Sequence, residues 1–461
     1  MSPQSFSLDD LSRCFEGSIP AALSTCSADG TPNVSYLSRA RRVDDERIAL
    51  SNQFMSKTAR NLAENPHASL LLMDVISHDE FRLQLVYERT ERRGKVFDQL
   101  RDDVDVLAAL TGMQGVFRLR TADVFRVAQI EQVPPHPDFA ATAQVGLPQA
   151  IASSALAALS ARLTRCTDLD TLVEAVVDGI DQSLGHHHVS LMLLDEAGER
   201  LYTIASRGYP QQGVGSEIAL GDGMVGMAAA QCTPMRVGSL RQASKYARTV
   251  RRSFEEQGEG PEREIPPPGL PDADSRMVIP AMALGQLVGV MVLEDARPLA
   301  FDEQSEAMLS IVAALVGTTI EAIRSEERLD AIDQPVATGP ASGASRVAAD
   351  ARVRFYAVDG SVFVDGAYLI KGVAGRLLWL LLNAHARGQS DFTNKELRLD
   401  PSLQLPGYRD NFESRLILLK RRLDERELPM RIETTGRGRF RLEVDAVVRL
   451  EQGDATSDGS G

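Results

Sequence analysis

Between residues 351 and 444 the chain carries 17 Lys/Arg against 12 Asp/Glu, although its 461 residues have a formal net charge of −14. A local excess of cations in an acidic chain suits phosphate, because neutralising phosphates releases their condensed counterions whatever the base sequence. The carriers fall in two phrases. Arg409, Asn411, Arg415, Lys420 and Arg422 lie in GYRDNFESRLILLKRRLDERE (407–427), and Arg431, Arg437, Arg439 and Arg441 lie in MRIETTGRGRFRLEV (430–444). Cations and an amide on a helix can meet phosphates and base edges in a groove, and an Arg-bearing hairpin can meet phosphates beside it. A solvated basic surface would use the same residue types, and Asp410, Glu413, Asp424, Glu425 and Glu427 dilute the patch.

Other chemistries find less support. Three consecutive histidines, His186, His187 and His188, point in different directions whether in strand or loop, so they cannot all face one ion. The expectation is a structural role and no metal site, with ligation of haem or a metal by one of them as the alternative. Cys232, alone in an apolar helix-strand context, reads as a packed thiol; a redox or linear-tetrapyrrole thiol is the sharper alternative. No Ser/His/Asp set, paired-carboxylate motif or phosphate-binding glycine loop stands out, so catalysis is not expected.

The basic residues need elements to hold them. Phe412, Leu416, Leu419 and Leu423 recur at i, i+4, i+7 and i+11, which predicts a helix with one stripe to bury. Asn411, Arg415 and Arg422 flank it on one side, Arg409 and Lys420 on the other. The next phrase alternates about a Gly436-Arg437-Gly438 tip and predicts a β-hairpin. Upstream come strands at 353–358, 361–364 and 367–370, an apolar helix GVAGRLLWLLLNAHARG, and a short helix opened by Phe392-Thr393-Asn394-Lys395-Glu396-Leu397. This succession resembles the winged-helix effector domain of response regulators, with ESRLILLKRRL at the place of the recognition helix and GRGRFRL at the wing. Gly375 stands before Arg376-Leu377-Leu378 where that family carries Glu. The resemblance implies DNA as partner, met by Asn411, Arg415, Lys420, Arg422, Arg437 and Arg439. Use of the same fold for protein interaction alone is the competing reading.

At this length the chain fits about three domains. Four widely spaced cysteines show no C-x-x-C pair and fit reduced thiols; the first residues lack a secretory pattern, and no apolar run approaches the roughly 20 residues of a membrane helix. A cytoplasmic protein is expected. Punctuation gives a domain over 1–132, a second over 150–328 with a Pro/Gly/Glu-rich loop insertion at 254–276, a small polar linker at 333–350, a third domain at 351–444, and a disordered tail at 453–461.

In the second domain, a helix bearing Leu156, Leu159 and Leu163 precedes a helix capped at Thr167 or Asp168. Strands VSLMLLD and LYTIAS, a Gly221-Asp222-Gly223 turn into a small helix, a hairpin turning at Leu284-Gly285-Gln286 and a long helix capped by Asp302 follow. The phrases LDTLVEAVVDGIDQSLG, IALGDGMVGMAAA, VIPAMALGQLVGVMVLED and FDEQSEAMLSIVAALVG make this span resemble a GAF domain. That implies a central antiparallel sheet flanked by helices and a cavity for a small-molecule effector. Phe301-Asp302-Glu303 are contiguous and form an ordinary helix start, so a cyclic nucleotide is not supported. The Leu156/Leu159/Leu163 ridge would lack a partner in a monomer, which predicts a parallel homodimer.

The first domain reads as strands at 19–26, 33–38 and 47–52, a helix from Ser56 to Glu64 ended by Asn65-Pro66, further strands, and a helical excursion at 95–110. From Ile19 to Met73 it resembles the pyridoxamine-phosphate-oxidase-like FMN-binding split barrel. Ser56-Lys57-Thr58, with Ser56 nine residues before Asn65, stands where that family grips the flavin phosphate, and Ser51-Asn52 stand where it carries Tyr-Thr. The resemblance thus implies FMN held by Ser51, Asn52, Ser56, Lys57 and Thr58, with haem or another flat cofactor, or none, as alternatives. Hydroxyls, a cation and a helix N-terminus suit a phosphate. The fold class expected is multidomain α+β: a split β-barrel, a GAF sandwich around an antiparallel sheet, and a C-terminal winged helix. The function expected is a signal-responsive transcriptional regulator; a flavin- or haem-dependent redox enzyme with regulatory domains, or an interaction scaffold, are the alternatives.

Overall fold

The computed structural model describes residues 6–16, 19–53, 56–75, 77–111, 118–134, 151–240, 265–333, 349–405, 412–436 and 438–453. The protein is multidomain α+β. Its first unit comprises α1 (Ser12–Glu16), β1 (Ala21–Cys26), β2 (Pro32–Leu37), β3 (Ala40–Arg42), β4 (Arg47–Asn52), α2 (Ser56–Glu64), β5 (His67–Met73), β6 (Glu80–Glu91), α3 (Lys95–Thr111) and β7 (Thr121–Val133). The strands form one seven-stranded antiparallel sheet in the order β2-β1-β5-β6-β7-β4-β3. Alternation places Leu23, Leu50, Leu70, Leu83, Leu85 and Phe125 in its core. Helix α3 has two apolar faces. Leu100 packs with Ala49, Ala122 and Val124 of its own unit, whereas Val106 packs with Met224, Ala228 and Ala229 of the next.

That next unit runs through α4 (Ser153–Leu163), α5 (Leu169–Leu184), β8 (His188–Leu194), β9 (Arg200–Arg207), β10 (Glu217–Ala219), α6 (Gly223–Gln231), β11 (Met235–Val237), β12 (Ser275–Ala283), β13 (Gln286–Asp295) and α7 (Glu303–Asp333). Its sheet has the order β10-β9-β8-β13-β12-β11, antiparallel throughout. Period-2 alternation splits the core: Leu191, Leu193, Ile279 and Leu293 meet α5 and α7, while Met192, Val278, Val290 and Val292 meet α6. Asp168 caps α5 by accepting the Thr171 N–H at 2.9 Å, and Asp302 caps α7 by accepting the Ser305 N–H at 2.7 Å.

Two expectations change here. Leu159 and Leu163 are buried within the chain. Leu159 lies so close to Gly179 of α5 that a Cβ there would come within 2.2 Å of its Cδ1. The ridge has its partner in the monomer and gives no argument for a dimer. Second, Glu303–Glu326 has the length and apolar composition to cross a membrane. Its Leu309, Val312, Val316, Ile320 and Ile323 are buried in the domain core. The sequence disguises this run because Ser, Thr, Gly and Ala interrupt its larger apolar residues.

The third unit comprises β14 (Ala349–Tyr356), β15 (Ser361–Val364), β16 (Ala367–Ile370), α8 (Gly372–Ala386), β17 (Asp391–Thr393), α9 (Asn394–Arg398), α10 (Phe412–Glu425), β18 (Met430–Gly436), β19 (Arg439–Val444) and β20 (Ala446–Gly453). One sheet is ordered β16-β15-β14-β20 and the other β17-β19-β18. β20 pairs parallel to β14, so the unit runs to Gly453 and starts by Ala349, past both expected limits at 351 and 444. The expected linker and tail fall almost wholly outside the described residues, although Gly453 still belongs to β20. The expected insertion at 254–276 is described from Ile265 onward, and its last two residues, Ser275 and Arg276, already belong to β12.

Candidate functional site

Helix α10 carries the basic phrase, and its surroundings decide what those cations can do. Phe412, Leu416, Leu419 and Leu423 are buried in the core with Leu377, Leu381 and Ile432 of their own unit, as their spacing predicts. A second face, bearing Ser414, Arg415, Leu418, Arg421 and Glu425, meets the middle domain. Arg415 donates from its guanidinium to both Glu196 carboxylate oxygens, at 2.8 and 2.5 Å, and lies over the Tyr202 ring at 4.1 Å. Its side chain is 12 % exposed and that of Glu196 10 %. Burial would raise the Glu196 pKa, but the hydrogen bonds and charge of Arg415 outweigh it and hold the carboxyl below its ordinary value.

Lys420 Nζ reaches Asp170 Oδ2 at 2.8 Å, Arg421 reaches Asp170 Oδ1 at 2.8 Å, and Arg421 also reaches Glu174 at 2.9 Å. Against burial, which would raise it, these two cations hold the Asp170 pKa down. The Gly213 N–H donates to Glu425 Oε1 at 3.1 Å, Arg324 donates to Ser414 Oγ at 3.3 Å, and Lys371 pairs with Glu217 at 3.1 Å. Every residue from Phe412 to Leu423 is buried or half-buried.

Arg422, expected on a DNA-facing flank, turns inward instead. It is 6 % exposed, donates to the Leu369 carbonyl at 3.0 Å and pairs with Glu425 at 2.7 Å, so it fastens the helix to its own domain. Asn411 and Arg437 lie outside the described residues. In the hairpin, Arg431 is tied to Glu433, Glu443 and Asp445, and Arg441 makes two bonds to Asp391 at 2.9 and 3.0 Å. Arg439 is exposed at the tip.

The expected cofactor corner lies where β4 hands over to α2. Ser51 is buried and its Oγ accepts the Arg39 N–H at 3.0 Å; Asn52 donates to Asp123 at 2.9 Å. Thr58 is buried, 2.7 Å from Ser35 Oγ and 3.0 Å from the Asn33 amide. Lys57 is exposed on the first turn of α2, and Ser56 begins that helix. Gln53, which no sequence motif marks, is 6 % exposed, and its amide nitrogen has no hydrogen-bond partner among the described residues. A buried donor without a partner is costly unless something meets it. Ser51, Asn52 and Thr58 spend polar atoms within the protein, so of the expected set Lys57 and the start of α2 are left to meet a phosphate.

The histidines separate as expected. His186 is 3 % exposed against Phe301, His187 bonds Asp181 at 2.7 Å, and His188 meets the Tyr209 ring. Burial pushes the His186 pKa down to about 4. Among the described residues no group of three or more His, Cys, Asp or Glu is placed to hold a metal ion. Cys232 corrects the packed-thiol expectation: it is exposed, because it ends α6 in a left-handed conformation at φ 52° that turns it out of the apolar face.

The first two units are sensor-type modules. Residues 8–110 match the pyridoxamine 5′-phosphate oxidase family and residues 166–321 match the GAF domain family. The chain therefore carries a pyridoxamine-phosphate-oxidase-like N-terminal domain followed by a GAF domain. Among solved structures it is similar to the GAF domain of a phosphoenolpyruvate-protein phosphotransferase from Acinetobacter, at 22 % identity over 38 % of this chain and 94 % of that one, TM-score 0.30. It is also similar to an FMN-binding protein from Syntrophomonas wolfei subsp. wolfei, at 21 % identity over 28 % of this chain and 92 % of that one, TM-score 0.23. A free methionine-R-sulfoxide reductase from Neisseria meningitidis matches at 17 % identity over 40 % of this chain and 99 % of that one, TM-score 0.29. No curated protein matches the chain.

Proposed function

We propose that the protein is a signal-responsive transcriptional regulator whose C-terminal unit is a winged helix that binds duplex DNA. The N-terminal and GAF domains would supply the sensing, and the output is binding, with no turnover. The observation that carries this reading is the arrangement in the third unit. A sheet, an apolar core helix, a second helix bearing Arg415, Lys420 and Arg421, and a hairpin presenting Arg439 follow one another in the order such a reader needs. Two helices join the three units in series: α3 packs on both sensor domains, and α10 packs on the GAF domain and its own core. A change in either sensor therefore has a continuous packed route to the basic helix.

In the first domain, the ligand class that its fold and the α2 corner support is a flavin mononucleotide, with Lys57 and the start of α2 meeting the phosphate. When bound, such a group would supply redox sensing. The experiment that tests the regulator reading is duplex binding by the full chain, followed by anisotropy over a salt series. A log K that falls steeply with log salt is expected, since each phosphate contact contributes a slope of about −0.9. Failure of the full chain to bind any duplex, at low salt and with α10 released from the GAF domain, would overturn it.

A further inference from the structure

We infer that the GAF domain holds α10 through carboxylates that stand where DNA phosphates would stand, so that duplex DNA and the GAF face compete for Arg415, Lys420 and Arg421. The inference rests on the DNA-binding reading above and adds its regulation. Asp170, Glu174 and Glu196 together engage all three cations. Arg415 meets Glu196 in the two-pronged geometry that guanidinium also makes with phosphate. With every residue from Phe412 to Leu423 buried or half-buried, the helix has no free face to lay in a major groove. Reading therefore requires it to leave the GAF domain.

The two faces of α10 differ in the way such a device needs. The face toward its own domain is built of Phe412, Leu416, Leu419 and Leu423, an apolar contact that water would break only by unfolding the unit. The face toward the GAF domain is mostly Ser414, Arg415, Lys420, Arg421 and Glu425, with Leu418 its apolar member, 3.8 Å from where a Gly215 Cβ would stand. Ion pairs and single hydrogen bonds can be exchanged for equivalent bonds to phosphate and water. Glu425 clamps the Gly213 N–H from the same face, so that amide reports docking directly. A signal that shifts β9 or the start of α5 moves Glu196 or Asp170 and changes the hold on α10.

The test uses the full chain carrying Asp170→Asn, Glu174→Gln and Glu196→Gln, compared with wild type for mixed-sequence duplex affinity and for hydrogen exchange at Gly213. These substitutions keep side-chain shape and leave every α10 cation in place. The expected result is faster exchange at Gly213 with a roughly 10- to 100-fold gain in affinity, the gain available when an open state populated at a few per cent becomes dominant. Glu196→Gln alone serves should the triple variant fail to fold, with the same direction and a smaller gain. Faster exchange with wild-type affinity would overturn the competition and leave DNA binding standing. Unchanged exchange would show that the carboxylates do not hold the helix, and also overturns it. An opened variant that, like wild type, binds no duplex at low salt would remove the DNA reading itself.

Discussion

Arg415→Ala is the substitution whose cost the geometry specifies best. The guanidinium makes two hydrogen bonds to Glu196 and covers the Tyr202 ring, and the pair is about nine-tenths hidden from water. Removing one partner of a buried pair leaves an uncompensated carboxylate, at a cost of about 3–5 kcal/mol, whereas an exposed pair is worth at most about 1 kcal/mol. The cost falls on docking of the C-terminal unit, because the two partners belong to different domains. The chain has a single tryptophan, Trp379, stacked on Phe355 at 5.0 Å inside that unit, so its fluorescence reports that unit selectively. The cost of orphaning Glu196 exceeds the roughly 2 kcal/mol that docking contributes when the open state stands at a few per cent. A urea titration should therefore show the Trp379 transition of Arg415→Ala displaced by about 2 kcal/mol, with most of the loss recovered in Arg415→Ala/Glu196→Ala, where no orphan charge remains. A displacement below about 1 kcal/mol, or no recovery in the double variant, would refute the reasoning.

Protonation of His186 provides a second check. Its pKa, lowered by burial to about 4, lies below the unfolded value of 6.5, so its contribution is complete above pH 6.5 and is lost as pH falls toward 4. Thermal unfolding of the GAF domain should lose up to about 3 kcal/mol across that window, and His186→Phe should flatten the loss. Leu159→Ala should cost about 2–5 kcal/mol in the same transition while sedimentation leaves the oligomeric state unchanged, because the side chain packs on Gly179 of its own chain. Arg439→Glu, exposed at the hairpin tip, should weaken duplex binding and make its salt slope shallower by about 0.9, with no change in thermal stability.

Local signals were legible where one physical cause dominated. Asn65-Pro66 ends α2 at Glu64, as read, since Pro cannot continue the helix and disfavours helical backbone before it. The stripe of α10 toward its own core was legible for the same reason. Its second face was not, because that face packs through polar residues on another domain, and periodicity registers only apolar burial. Ile417 and Leu418, both buried yet off the stripe, were the available signal that the helix is covered on two sides. β20 escaped because it returns parallel to β14 after the hairpin, a pairing no local turn announces. At the cofactor corner the positions were legible, but not that Ser51, Asn52 and Thr58 would find partners inside the protein. Gln53 carries no local pattern; only burial marks it.

The most direct measurement on the central claim is hydrogen exchange at the Gly213 amide in the wild-type full chain, with and without a saturating duplex at low salt. In the free chain this amide donates to Glu425 of α10 and should be protected. Duplex that draws α10 away should speed its exchange while the buried strand amides of β5 stay slow. Bound duplex with Gly213 still protected would contradict the account.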